Sequence, residues 1–485
     1  MPSPRPASPP AAAGLPEAPA SSASRGTPGA VAPLVLTPSQ AAALKAARAF
    51  LTGGGDAFSL TGAAGTGKTT LVETLVRIAR SSGRAVHLVA PTARAARVLR
   101  QRSGHAATTV HSHLYTVEPL KGRPGFRLHR KPNTDTAPTL LVVDEASMVP
   151  SRPTTDGDLF HSGSSMLDDL VAHVRAGPRG SQVLFVGDAC QLPPVGERAS
   201  LALDADVLAE RFRLVTAHAE LSEIVRQAEG SPILGAAHTL RAALDDASEA
   251  EQGAIDLPRL DLPRLRGFNA HARAYLNASD GGSDPEGAVL LAYANRSTQM
   301  FNRDVRALRG LSGDLAAGDL VVLDADAWRT GDAAGTPSLR RGEPYRVREV
   351  GVRVEEVAGL RFVRAVVERA TADGSSPDPS HEALVCLGAL TSDKGISADE
   401  ELAIYSERRA KNPAFRLSGH PKDDRYVGAL RVRYGYALTV HKAQGGEWAT
   451  VVVDPWVHPS RVGTREHVRW LYTAVTRARE RCFLR

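Results

Sequence analysis

The chain of 485 residues contains only three cysteines, Cys190, Cys386 and Cys482. They lie far apart, form no CxxC pair and match no zinc-ligand spacing. That excludes a disulfide framework and fits a reducing, cytoplasmic compartment. No run approaches the ~18 uninterrupted apolar residues of a membrane span, so no membrane partner is expected. Aromatic residues make up only 5% of the chain, and neither sign of charge dominates: 59 Lys and Arg stand against 53 Asp and Glu, a net of +6. This small excess suits a polyanionic partner without requiring one. Apolar residues, at 42%, are ample for buried cores. The length allows roughly two to four domains.

Residues 1–33 are poor in large apolar side chains and rich in Pro, Ala, Ser and Gly. Such a segment buries too little to offset chain entropy and is predicted to be a disordered tail. A transit peptide is the alternative. A bacterial signal peptide is excluded, because no apolar run follows the first basic residues. The tandem DLPRL at 256–260 and 261–265 is too short for a repeat fold and reads as linker.

What is present is a phosphate-binding pattern. Residues 57–61 (AFSLT) read as a strand. Gly62, Ala63, Ala64, Gly65, Thr66, Gly67, Lys68 and Thr69 then fill every fixed position of G-x-x-x-x-G-K-[ST], with Thr70 next. Leu71, Val72, Leu75, Val76 and Ile78 follow at helical spacing up to Gly83. In this order, backbone N–H groups turn toward phosphate oxygens. Lys68 reaches the β and γ phosphates, and Thr69 reaches a magnesium ion. ATP and Mg2+ are the expected ligands. Further on, Leu140 to Val143 is a continuous apolar run, as a parallel strand covered on both faces requires, and it ends in Asp144 and Glu145. Carboxylates there face the ligand crevice: Asp144 to hold magnesium through water, Glu145 to polarise the attacking water. A third run, Val183 to Val186, leads into GDACQLPPVG and sets the Gln191 amide beside the γ-phosphate, where it can report its loss.

In order along the chain stand GAAGTGKTT, APTARAARVL, LLVVDEASMV, VLFVGDACQLPPVG, LSEIVRQ, YALTVHKAQGGEW and LYTAVTRARERCFL. Together they resemble the superfamily-1 DNA helicases, and within them the RecD-like and phage Dda-like group that travels 5′ to 3′. The resemblance runs from about residue 34 onward and is weak near 245–285 and 325–425. It implies an α/β fold of two RecA-like P-loop motor domains, with a β-hairpin insertion in the first and a small SH3-like β-barrel insertion in the second. The implied ranges are 34–230 for the first motor domain, with 113–138 as the hairpin. The second takes 231–311 and 433–485, with 312–432 as its insertion. Site roles follow from the same resemblance. Gln40 in LTPSQ stands where the family reads adenine, and Glu447 in QGGEW where an acid bonds the ribose. Arg226 in EIVRQ and Arg477 in VTRAR stand where two arginines meet the γ-phosphate. Such fingers contribute about 10³–10⁵-fold in related NTPases.

A motor of this kind grips a strand in two places. Thr92, Thr109 and His111 offer contacts from the first motor domain; Asn295, Thr439, His441, Lys442 and Gln444 offer them from the second. Hydroxyls, amides and one lysine suit phosphate and sugar, which position a strand without reading its sequence. Either histidine could instead be a satisfied core residue. Tyr115 to Leu120 and Phe126 to Arg130 flank a Gly/Pro turn and read as a hairpin, with five basic side chains and no acid from Lys121 to Lys131. The family places a strand-separating pin here; Phe126 is the expected wedge and Tyr115 the next candidate. In 312–432, short strand-like runs at 319–323, 344–350, 360–368 and 381–387 suggest a small barrel, with a charged helix near 399–411. The expected partners are single-stranded DNA and duplex junctions, with repair, recombination or replication proteins beyond them, and the expected active unit is a monomer. A strand-clearing translocase, the motor subunit of a nuclease complex and an RNA helicase are the alternative readings.

Overall fold

The computed structural model describes residues 36–120, 122–154, 160–223, 231–246, 255–328, 339–371 and 379–485. The 1–33 tail, Lys121 and Arg226 lie outside the described residues. First in chain order come β1 (Ala57–Gly62), β2 (Ala85–Ala90), β3 (Ala107–Thr109), β4 (Tyr115–Pro119) and β5 (Phe126–Arg130). Next are β6 (Thr139–Val143), β7 (Phe160–His161), β8 (Gln182–Gly187) and β9 (Thr216–Leu221). The later part supplies β10 (Ala288–Ala292), β11 (Leu320–Leu323), β12 (Pro344–Val357), β13 (Leu360–Arg369) and β14 (His381–Cys386). Last are β15 (Val432–Tyr434), β16 (Ala437–Thr439), β17 (Trp448–Val453) and β18 (Ala478–Leu484).

One parallel sheet runs β3-β2-β6-β8-β1-β9. Its central strands are buried on both faces, and alternate residues feed two cores. Leu140, Val142, Leu184 and Val186 pack with Leu71, Leu75 and Leu99 of the helices Lys68–Ser81 and Ala93–Ser103. Leu141, Val143, Val183 and Phe185 pack with Leu167, Leu170 and Leu208 on the opposite face. This period-two division is why the runs read as uninterrupted apolar stretches. Because β6, β8 and β1 are adjacent, the phosphate loop, Asp144 and Asp188 leave the sheet side by side.

A second parallel sheet runs β16-β10-β17-β18 and is covered the same way. Val289, Leu291, Val451 and Val453 face the helices Pro232–Asp246 and Arg465–Val475, while Leu290 and Val452 face Ala270–Ala278 and Asn295–Leu308. The DLPRL tandem differs from its reading as linker. Leu265 N–H donates to Leu484 O at 2.8 Å and Leu484 N–H to Pro263 O at 2.9 Å, so the segment edges β18.

The remaining strands form a five-stranded antiparallel sheet, β14-β13-β12-β11-β15, and a three-stranded mixed sheet, β4-β5-β7, in which β5 and β7 are parallel. The expected strand runs between 319 and 387 are present, with two differences. β12 continues to Val357 as an exposed ribbon with two register shifts, where no buried face imposes an alternating pattern. β15 comes from the stretch just before β16, so the antiparallel sheet is laced to the second parallel sheet. Tyr436 between them donates its phenol to Asp319 at 2.9 Å. Among the described residues no helix is long and apolar enough to cross a membrane.

Candidate nucleotide site and strand channel

The phosphate loop joins β1 to the helix Lys68–Ser81 in a tight turn. Gly67 adopts φ 85°, and a Cβ there would lie 2.4 Å from the Gln40 amide nitrogen, so only glycine fits. Gln40 Nε2 donates to Thr66 O at 2.9 Å, and Gln40 Oε1 accepts from Thr37 N–H at 3.1 Å in a capping box. Both halves of its amide are committed, and Gln40 braces the loop. Lys68 Nζ donates to Gly62 O at 2.7 Å and Ala63 O at 2.9 Å. Its ammonium thus sits over the loop, within the concavity that a helix N-terminus and turned N–H groups make for anions.

Two acids follow β6. Burial, then the neighbouring Glu145 charge, raises the Asp144 pKa to about 6, with Lys68 and Arg102 pulling the other way. A carboxylate held in so poor a solvent is suited to a divalent cation. Glu145 adopts φ 51°, a left-handed conformation unusual outside glycine, and turns the chain off the strand end. Gln191, beyond β8, is buried. Its Nε2 lies 3.5 Å from Asp188 Oδ2, and its Oε1 has no hydrogen-bond partner among the described residues. A buried acceptor left unmatched costs about 1–3 kcal/mol. It fits a water held against a phosphate.

The loop after β8 is tied to the second parallel-sheet half. Tyr472 donates its phenol to Asp188 at 2.7 Å, Leu192 N–H donates to Thr473 Oγ1 at 2.9 Å, and Gln444 Nε2 donates to Leu192 O at 2.9 Å. Arg477 is buried just beyond, donating to Thr473 O at 3.2 Å and Gly446 O at 3.4 Å. The helix Ala93–Ser103 adds Arg97 to Glu286 at 3.1 Å and Arg102 to Glu447 at 2.5 Å. Glu447 therefore pairs with Arg102, whose charge acts on Asp144.

A cavity of about 730 Å³ is lined by both halves. Thr92, Thr109 and His111 line it from the first; Asn295, Thr439, His441, Lys442 and Gln444 line it from the second. Thr109 stands beside Ala90 at the end of β2, and Thr439 beside Ala292 at the end of β10, so each half presents two adjacent strand ends. Thr92 accepts from Ala95 N–H at 3.1 Å and Thr109 from Ser112 N–H at 3.0 Å. His111 lines the cavity rather than a core, its surface open to the cavity while the surrounding walls desolvate the ring, and His441 is half-buried there. Lys442 Nζ lies 2.6 Å from Asp324, which also holds Arg433 at 2.7 Å.

Residues 35–256 match the AAA domain family, and residues 434–485 match the UvrD-like helicase C-terminal domain. The ATP-dependent RecD2 DNA helicase of Deinococcus radiodurans is 28% identical over 435 residues, covering 87% of this chain and 46% of that protein. This chain thus spans about half the length of that relative. The ATP-dependent DNA helicase dda of phage T4 is 24% identical over 449 residues, covering 87% of this chain and 92% of that one. The chain is thus similar to RecD- and Dda-like helicases of superfamily 1. A crystal structure of Pif1 helicase from Candida albicans covers 93% of this chain and 94% of that one, with 17% identity and a TM-score of 0.47.

One residue expected from RecD- and Dda-like helicases is placed otherwise. Phe126 is not presented as a wedge. It is 8% exposed, because the period of β5 turns it inward with Leu128 while Arg127 and His129 face out. Its ring lies 5.6 Å from Trp328 and 6.0 Å from His420. Tyr405 also donates to Leu120 O at 3.4 Å, so the hairpin end is docked on the later insertion. Tyr115, the next candidate, is buried and donates its phenol to Asp169 at 2.7 Å. Sequence reasoning missed Arg340, Arg341, Arg433 and Asp324 in the cavity wall. Asp324 follows β11, Arg340 and Arg341 precede β12 and Arg433 lies within β15, all in no motif, and only their tertiary neighbours reveal them.

Proposed function

We propose that the chain is an ATPase that moves along single-stranded DNA in the 5′ to 3′ direction and separates duplex ahead of it. What supports this reading most is one convergence. The strand-contact residues of both halves line a single cavity, while the phosphate loop, Asp144 and Gln191 gather at the neighbouring ends of β1, β6 and β8. The DNA helicase names of the RecD2 and dda relatives support the choice of DNA. Residues 34–230 would act as the first RecA-like motor domain, and 231–311 with 433–485 as the second. Residues 113–138 would be the hairpin insertion and 312–432 an SH3-like one.

ATP would seat its phosphates on residues 62–70, with Lys68 at the β and γ oxygens. A magnesium ion (Mg2+) held by Thr69 and Asp144 would screen the phosphate charge. Glu145 would draw a proton from a water that Gln191 Oε1 accepts from. Arg477 and Arg226 would offset charge developing on the γ oxygens. Glu447 would exchange Arg102 for the ribose. Loss of the phosphate would reach the second half through Asp188 and Leu192, which bond Tyr472, Thr473 and Gln444, and the two grips would alternate. The hairpin's basic turn would meet the duplex junction, with Phe126 bracing it from behind. A monomer would suffice, since both grips belong to one chain. Repair, recombination or replication proteins would be its partners.

The test is ATP turnover with and without oligo-dT. Strong stimulation is expected, with binding that weakens in salt at a log–log slope of roughly −0.7 per neutralised phosphate. Turnover indifferent to single strands at low salt defeats the reading. Greater stimulation by RNA of equal length moves the substrate to RNA.

A further inference from the structure

The helix Ala93–Ser103 holds a charge that no carboxylate pairs with directly among the described residues. Arg94 is 8% exposed, yet among the described residues it makes no hydrogen bond and no ion pair. Its partner is the Trp448 indole, 3.9 Å from the guanidinium carbon. Burial first, then Arg97, brings its pKa down to about 9, with Arg477 and Arg479 adding to the effect and Glu286 opposing it. Glu286 is itself engaged by Arg97 at 3.1 Å. A buried cation lacking a counter-ion is costly, and stacking on an aromatic face offsets only part of that cost.

The same side chain lines the cavity, next to Thr92. Gly446 is pressed against it: a Cβ there would fall 2.6 Å from Arg94 Nε. A guanidinium offers five donors in a planar fork and matches two oxygens of one phosphate. Trp448 is fixed by its own indole N–H, which donates to Pro285 O at 3.1 Å. It directly follows Glu447, which pairs with Arg102 in the last turn of the helix that carries Arg94. One helix therefore has its cap, Thr92, in the cavity and its far end beside the nucleotide acids.

We propose that Arg94 receives a backbone phosphate of the strand in the cavity and, through Trp448, couples strand occupancy to the nucleotide cleft. The proposal rests on the motor reading above. A phosphate supplies the missing counter-ion, so the contact between the helix and the segment 445–448 is strongest when a strand is present. Toward hydrolysis Arg94 is a positioning residue, since it acts through Trp448 and Glu447.

The test compares Arg94→Gln and Arg94→Lys with the unchanged protein, using oligo-dT as the probe. Binding is followed against salt, and turnover against oligonucleotide concentration. In Arg94→Gln the half-saturating concentration should rise about tenfold, as loss of one charge-assisted contact implies. The salt slope should become shallower by about 0.7. Arg94→Lys should restore the slope but not the maximal stimulation, because an ammonium lacks the flat face that meets the indole. An unchanged slope and half-saturation in Arg94→Gln overturn the phosphate contact. Full stimulation in Arg94→Lys overturns the coupling. If Arg94→Gln does not fold, Trp448→Phe decides: weaker stimulation at an unchanged slope is expected, and unchanged stimulation overturns the proposal. Absence of stimulation in the unchanged protein would refute the motor reading instead.

Discussion

Thr109-Val110-His111 and Thr439-Val440-His441 are the same solution built twice. Each begins at the last residue of a three-residue edge strand of a parallel sheet, β3 or β16, and opens a short helix. The two threonines share a backbone conformation, φ −76° ψ 150° and φ −74° ψ 151°. Val110 and Val440 are both fully buried and anchor the turn. The surroundings then part. Thr109 caps its helix, accepting from Ser112 N–H, and the residue after His111 is neutral. Thr439 makes no such cap bond, and Lys442 follows His441 in an ion pair with Asp324. One turn is neutral and bonded to itself; the other is charged and restrained by a carboxylate that a strand phosphate, in the proposed reading, would have to replace. Under the proposed motor, equivalent backbone ends would offer a strand two different kinds of hold.

The largest expected effect removes the drive shared by both grips. Lys68→Ala should lower turnover by about 10²–10³-fold, the scale seen when one preorganised donor to developing charge is lost. Single-strand binding without nucleotide should persist, because neither grip includes the loop. Near-normal turnover in a folded variant would refute the chemistry assigned to Lys68. A middle-sized effect separates the grips by charge. Lys442→Ala should weaken oligo-dT binding about tenfold at low salt and make the log–log slope shallower by up to about 0.7. His111→Ala should leave the slope unaltered, since desolvation lowers the His111 pKa and the ring is uncharged at neutral pH. Equal slope changes in the two variants would erase the distinction.

The phosphate loop, the two acids after β6 and the strand ends of both grips were legible because their signals are local. A glycine pattern, an unbroken apolar run and a terminal acid need only neighbours in sequence to be read. Phe126 shows where that stops. Its aromatic character and its place beside a basic turn were visible, but its partners Trp328 and His420 lie about two hundred residues or more away and turn an expected wedge into a brace. Asp324 is similar: as a lone acid after a strand it carries no pattern, and its meaning comes from Lys442 and Arg433. β15 escaped because three residues are too few to show a period.

The smallest effect concerns the caps and tests the comparison at its root. Thr109 Oγ1 accepts from Ser112 N–H at 3.0 Å and donates to Ser112 Oγ at 2.9 Å, whereas the Thr439 hydroxyl caps nothing. Replacing an engaged threonine cap with alanine costs about 1 kcal/mol, roughly a fivefold change in a local opening equilibrium. Overall unfolding would dilute that signal among several cores, so the readout is hydrogen exchange of single amides, which reports local opening. In Thr109→Ala the Ser112 amide should exchange about fivefold faster. In Thr439→Ala the amides of 441–443 should change by less than about twofold, because a helix that gains no cap bond loses none. If both segments loosen equally, the Thr109 bond contributes nothing specific. The first grip would then owe its order to Val110, as the second owes its order to Val440, and the two holds would differ in charge alone.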